Sequence, residues 1–293
     1  MKRRYIALFL LPYILAVGSF AMGSDQATSV DNGNNTNKLD WRLGPTSYAF
    51  RKFTFFEAVD KTKALGMKYI EPFEGHRISN DSPEGLVRKL SDEKIAKVLR
   101  KLEDAGVRMK SIYIGKVPND EAGCREVFEF VHKLGIGTIV AEPPESHLDT
   151  IEKFCDEYKI NLALHNHPAP SRYWHPRTVL KACKGRSRRI GACPDLGHWQ
   201  RSGIKPVDGL CMLQGRILSL HVKDLNQFKV RKAHDVPWGT GKGEIEMALE
   251  EVKRQGLEPA IFGIEYEYHS ENLVPEIGEC VKFFKQVDGK INR

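Results

Sequence analysis

Residues 137–167 read GTIVAEPPESHLDTIEKFCDEYKINLALHNH, and this stretch decides the fold. A β-branched, apolar run (GTIVAEP) comes first, and LDTIEKFCDEYK then spaces its apolar residues at i, i+3 and i+4. INLALHN is apolar again, so the pattern predicts strand, amphipathic helix, strand. The unit recurs in both directions along the chain. Strand candidates are RLGPTSYAF (42–50), KYIEPF (68–73), VRMKSIYIG (107–115), GTIVAEP (137–143), INLALHN (160–166), RIGACPD (189–195), ILSLHV (217–222) and AIFGIEYEY (260–268). Helical stretches separate them, among them TFFEAVDKTKALG with a Thr54 to Glu57 capping box, SDEKIAKVLRKLEDAG, NDEAGCREVFEFVHKLG and EIEMALEEVKRQG. TVLKACKG carries the faintest helical pattern of the set. Gly66, Gly106, Gly135, Gly185, Gly215 and Gly256 each stand where a helical pattern stops, as left-handed caps do. Eight strands alternating with helices over about 250 residues predict a (β/α)8 barrel. An open doubly wound sheet would carry a glycine-rich phosphate turn after its first strand, and LGPTSYAF has none.

Outside this pattern lie the first 40 residues. Lys2, Arg3 and Arg4 precede an apolar run from Tyr5 to Phe20 and a small-residue exit at Ala21-Met22-Gly23. That arrangement predicts a cleaved secretory signal over 1–23, with an uncleaved membrane anchor as the rival reading because the apolar run falls just short of the ~20 residues that span a bilayer. Residues 24–40 are polar and Asn-rich with little to bury, and are expected to be a flexible linker to a catalytic barrel domain over 41–293. The formal charge of +7 drops to +4 once Lys2, Arg3 and Arg4 leave, which is no footprint for nucleic acid. The expected location is the periplasm or the exterior, with no lasting membrane association. Six cysteines show no CxxC pair, and contexts such as IEKFCDEY and IGECVKFF suit small buried hydrophobes.

Barrel enzymes place their chemistry at the C-terminal ends of the strands. In this chain those ends carry Glu71 and Glu74, Glu142, His165 and His167, Asp195 and His198, His221 with Lys223 and Asp224, and Glu265 and Glu267. Glu142 ends TIVAE, Asp195 ends RIGACPD, His221 ends ILSLH and Glu265 interrupts AIFGIEY. Each puts a polar group where a buried strand holds none unless it is paired or metal-bound. Mixed oxygen and nitrogen donors at one mouth suit a single divalent cation such as Mn²⁺, Mg²⁺, Co²⁺ or Zn²⁺.

The order Glu142, Asp195-x-x-His198, His221-x-Lys223-Asp224 and Glu265, with His165-Asn166-His167 and the loop Pro237-Trp238-Gly239-Thr240-Gly241-Lys242-Gly243, resembles the sugar phosphate isomerase/epimerase family of xylose isomerase-like TIM barrels. The resemblance implies Glu142, Asp195, His221 and Glu265 as metal ligands, with Glu142 and Glu265 also exchanging the proton. It implies His165, His167, His198, Lys223 and Trp238 as contacts to a small sugar. Glu267 shares strand parity with Glu265 and is the rival for its place; Glu265 is preferred as the first carboxylate after the apolar stretch. The GTGKG loop is either an anion cradle or a tight turn opening the next helix, and it lacks P-loop spacing.

The function expected is therefore metal-dependent isomerisation or epimerisation of a ketose or related non-phosphorylated sugar through an enediolate, in a chain whose relatives are often homodimers. The same chemistry can expel a β-leaving group, giving a lyase or hydratase acting on keto-glycosides. An endonuclease IV-type phosphodiesterase would need more ligands and a basic groove, and a non-catalytic sugar-binding protein would lack one of the four ligands.

Overall fold

The computed structural model describes residues 41–291. The expected signal (1–23) and the expected linker (24–40) lie outside them. Strand β1 (Leu43–Pro45) is followed by a 3-10 turn (Ser47–Phe50) and helix α1 (Phe55–Ala64). Thr54 caps α1 with the box read from the sequence: its hydroxyl accepts from the Glu57 amide, and Glu57 accepts from the Thr54 amide at 2.7 Å. The expected second strand survives only as an extended segment, residues 69–73, joined to its neighbours through isolated bridges. A hairpin of β2 (Arg77–Ser79) and β3 (Ser82–Gly85) then precedes α2 (Asp92–Ala105). β4 (Ser111–Tyr113), α3 (Glu121–Lys133), β5 (Thr138–Ala141), α4 (Leu148–Tyr158), β6 (Asn161–His165), α5 (Pro176–Cys183) and β7 (Ile190–Cys193) continue the alternation. Two short helices, α6 (Leu196–Arg201) and α7 (Pro206–Met212), lead to β8 (Leu220–Val222). A small antiparallel pair, β9 (Asp224–Leu225) and β10 (Asp235–Val236), comes before α8 (Ile245–Arg254), β11 (Phe262–Ile264) and α9 (Leu273–Ile291).

The parallel strands close on themselves. β4, β5, β6 and β7 pair in chain order, and β8 pairs with β11, which pairs with β1. The two arcs join through bridges Thr46↔Glu71, Tyr69↔Arg108 and Phe73↔Tyr113 on one side, and Ala192↔Ile217 and Asp195↔His221 on the other. All six glycines expected as helix ends take positive φ, from +63° to +78°, a conformation that costs residues with a Cβ.

Val140, Ala163 and Cys193 form a small cluster apart from the main core. The main core lies between strands and helices, where Ile139, Leu162, Phe128 and Ile151 are fully buried. All six cysteines are free thiols, and all but Cys211 are buried. Among the described residues no helix is long and apolar enough to cross a membrane.

Candidate metal centre at the barrel mouth

Ring closure brings the polar strand ends together. The bridge Asp195↔His221 sets those residues side by side, and Thr46↔Glu71 carries Glu71 to the same mouth. A cavity of about 270 Å³ opens there, lined by Thr46, Tyr48, Glu71, Phe73, Tyr113, His165, His167, His198, His221, Lys223, Glu265 and Glu267.

His221 is fixed from behind. Its Nε2 stands 2.6 Å from Glu71 Oε1, and Glu71 in turn accepts a hydrogen bond from the Ser111 hydroxyl. Its Nδ1 is buried without a hydrogen-bond partner and faces Glu265 Oε2 at 3.9 Å. A carboxylate behind one ring nitrogen and an unpaired second nitrogen in front is how metal-binding imidazoles are oriented. Burial opposes a charge on this ring, but Cys193 and Glu71 outweigh it, so its affinity for a proton lies well above the ordinary imidazole value. A cation and a proton compete for the same lone pair.

Asp195 has no exposure. It caps α6 by accepting from the His198 amide at 2.9 Å, and its other oxygen takes Lys223 Nζ at 2.7 Å. Asn166 clamps the Asp195 backbone from both sides, accepting from its amide at 2.9 Å and donating to its carbonyl at 3.1 Å. The carboxyl stays ionised: burial works against the charge, but His198 and Lys223 hold it well below the usual range. Lys223 is likewise held protonated; burial opposes this, and Asp195, Glu267 and Glu265 prevail. His198 is pushed well below the ordinary imidazole value, chiefly by burial, with Lys223 reinforcing it against the pull of Asp195.

The four expected ligands do not form one group. Among the described residues, donor atoms within 4.8 Å of one another occur as Glu142–His165–His167 and His165–Asp195–His221. Glu265 adjoins the second group through His221. Glu142 reaches it only through His165, whose Nδ1 lies 2.8 Å from Glu142 Oε1 and whose Nε2 lies 3.6 Å from Asp195 Oδ2. His167 Nδ1 contacts the same Glu142 oxygen. Burial raises the Glu142 pKa and the two imidazoles lower it further, to about 2. His165, expected to touch substrate, is thus the member common to both groups.

Glu265 and Glu267 both line the cavity, with different company. Glu267 takes Arg201 at 2.8 Å and Lys223 at 3.2 Å, and it is held below the usual carboxylate range because Lys223, His198 and Arg201 overcome its burial. Its charge is already paired, whereas Glu265 faces the unpartnered Nδ1 of His221.

His165, His167, His198 and Lys223 line the cavity as expected of substrate contacts, but Trp238 does not. It is 2% exposed and packs in the core against Phe284, because the loop turns it inward. The glycines of that loop serve an internal anion: the amides of Gly239, Gly241 and Gly243 donate to the Asp224 carboxylate at 2.9–3.0 Å. A Cβ at Gly241 would stand 2.3 Å from Asp224 Oδ1, so only glycine permits the wrap. Glu74, another strand-end acid, is spent on Arg88 at 2.7 Å.

Several site residues had no role assigned from sequence. Glu71 ends KYIE just as Glu142 ends TIVAE, and that parallel could have marked it. Ser111, Asn166 and Arg201 act through contacts 29 to 66 positions away and carry no local signal. Tyr48, Phe73 and Tyr113 supply the aromatic wall.

Comparison with known proteins agrees with this architecture. Residues 59–287 match the family described as a xylose isomerase-like TIM barrel. Among solved structures, an uncharacterised protein of Parabacteroides distasonis is 32% identical with a TM-score of 0.68, covering 84% of this chain and 99% of its own. A D-tagatose 3-epimerase-like protein is 18% identical (TM-score 0.65; 85% and 99% covered). A probable 3-DHS dehydratase of petrobactin synthesis from Bacillus anthracis is 14% identical (TM-score 0.63; 83% and 98% covered). No curated protein matches the chain.

Proposed function

The chain belongs to the xylose isomerase-like TIM-barrel family, and on that footing we propose that it is a divalent-metal-dependent isomerase or epimerase acting beside the carbonyl of a non-phosphorylated ketose or related sugar. The observation that carries this reading is His221, backed by Glu71 at 2.6 Å and presenting a buried, unpartnered Nδ1 toward Glu265. Asp195, His221 and Glu265 would hold the ion. When bound there, a divalent cation supplies Lewis acidity toward a carbonyl and its neighbouring hydroxyl.

The chain's own groups supply the rest. Glu142 is an anion at neutral pH, and with Oε1 facing two imidazoles its Oε2 receives the substrate proton. Glu265 passes a solvent-derived proton back to the reacting carbon, and the proton taken by Glu142 leaves to solvent. Lys223, held charged at the cavity wall, donates to a substrate oxygen and balances negative charge that develops on it. Tyr48, Phe73 and Tyr113 offer apolar surface to the sugar carbons. Satisfaction of the loop amides by Asp224 supports a substrate without phosphate.

The test is hydrogen exchange. Metal-replete protein incubated with keto-sugars in D₂O should give products of the same skeleton carrying one deuterium, with exchange lost in Glu142→Gln and Glu265→Gln. A broad keto-sugar panel with no deuterium incorporation would sink the proposal. Elimination from a keto-glycoside is the second reading, favoured by the cations Lys223 and Arg201 gathered around Glu267, which could stabilise negative charge on a leaving oxygen. Loss of water or an aglycone in the product mass would select it. Export after signal cleavage and pairing of two barrels belong to the same proposal, tested by N-terminal sequencing and sedimentation.

A further inference from the structure

We infer that Tyr113 is a specificity-determining residue whose phenol hydroxyl donates to a sugar hydroxyl beyond the reacting carbons, so that a substrate lacking that hydroxyl is rejected. The inference rests on the proposed function in taking the substrate to be a sugar, and it adds which part of the sugar is read.

Tyr113 ends β4, and its main chain is held on both sides. Its amide donates to the Pro72 carbonyl at 2.9 Å, and its carbonyl accepts from the Glu74 amide at 2.8 Å. The ring stands edge-on to His165, with centroids 5.5 Å apart, and forms part of the wall of the mouth cavity. The side chain is therefore well fixed, yet among the described residues its hydroxyl has no hydrogen-bond partner. A largely buried tyrosine normally spends that hydroxyl on the protein. Neighbouring polar groups of the cavity have done so: Glu71 accepts from Ser111, His165 and His167 contact Glu142, and Glu267 takes Lys223 and Arg201. Tyr113 keeps a donor to offer a ligand. Burial, with the charges of Glu142 and Glu265 adding to it, raises the phenol above its ordinary pKa, so the hydroxyl carries its proton at neutral pH.

Topology sets which part of a sugar this donor can reach. Tyr113 ends the third of the eight parallel segments and Lys223 follows the seventh, so the two stand on opposite sides of the ring. Asp195, His221 and Glu265 come from the sixth, seventh and eighth segments, on the side of Lys223. A carbonyl and neighbouring hydroxyl drawn to that side leave a further hydroxyl of the sugar against Tyr113. A site built to hydrogen-bond a hydroxyl discriminates against the analogue without it, because the protein's own donor is then left unpaired.

The test compares two proteins and two ligands on the full, metal-replete chain. Tyr113→Phe keeps the ring in the wall and removes only the hydroxyl. Keto-sugars are ranked by calorimetric binding, and the tightest is compared with its single-deoxy analogues on wild type and variant. One deoxy analogue should bind wild type roughly 10-fold more weakly than its parent, and Tyr113→Phe should bind parent and that analogue alike at the weaker level. With a sugar that is turned over, KM should rise by that same factor while kcat stays within about 3-fold. Equal affinity of variant and wild type for the parent overturns the inference, and so does a variant that loses the same factor against every analogue, since Tyr113 is then only part of the wall. A sugar that binds with the expected deoxy pattern but exchanges no hydrogen sinks the isomerase reading and leaves Tyr113 in its role. A panel in which nothing binds overturns both.

Discussion

Asp235 offers a stability test whose size follows from its surroundings. Its Oδ2 accepts from the amides of Glu267 at 2.9 Å and Tyr268 at 2.8 Å, while Oδ1 is buried with no hydrogen-bond partner. Burial, aided by the charge on Glu267 and only partly offset by Lys223 and Arg201, pushes its pKa from 3.8 up to about 6. The folded state therefore binds a proton that the unfolded state has released over this interval. Stability from Asp235 is complete below pH 3.8 and is lost as pH rises through 6. A shift of about 2 units corresponds to about 3 kcal/mol over the whole window. Asp235→Asn keeps an oxygen for both amides but cannot ionise. Urea unfolding of both proteins from pH 4 to 7.5 should show the wild type losing about 2 kcal/mol relative to the variant as pH rises, with all other titrating groups cancelling in the difference. A difference that stays flat with pH, or grows in favour of the wild type, would refute the reasoning.

Three other outcomes follow from the geometry. Glu71→Gln retains a hydrogen bond to His221 but removes the charge behind it, and should weaken metal binding by roughly 10 to 100-fold in a calorimetric titration, with an unchanged circular dichroism spectrum; unaltered affinity would mean Glu71 is only a packing group. Gly241→Ala puts a Cβ against Asp224 Oδ1 and the Leu225 carbonyl, and should cost about 2 kcal/mol or more in chemical denaturation, a result that a neutral substitution would contradict. Thr54→Ala removes the hydroxyl of the α1 capping box and should lower stability by about 1 kcal/mol, read as a drop of a few degrees in melting temperature.

Much of the barrel was legible because its signals are local. Apolar periodicity along residues 91–106 marked α2, and Thr54 and Glu57, three residues apart, made the box that starts α1. The faint pattern TVLKACKG still forms α5 because Pro176 opens the helix and His175 caps it. KYIEPF differs, making only single bridges at Tyr69, Glu71 and Phe73, with prolines and a hairpin close behind. α6 and α7 are too short for a periodic signal, and α6 is set up by Asp195, a residue read as a ligand that also caps a helix. Trp238 was misread because a loop residue's direction is not written in its own spacing; Phe284, on the last helix, receives it.

By itself the sequence determined the alternating units, their glycine stops and which polar residues end the strands, because each depends on neighbours within a turn or two. Tertiary structure alone decided who meets whom at the mouth. Glu71 and His221, 150 positions apart, become one pair; Glu142 goes to His165 and His167, and Glu267 to Lys223 and Arg201. Those partnerships depend on strand register, ring closure and burial, which set distances and charge costs in space that no pattern along the chain encodes.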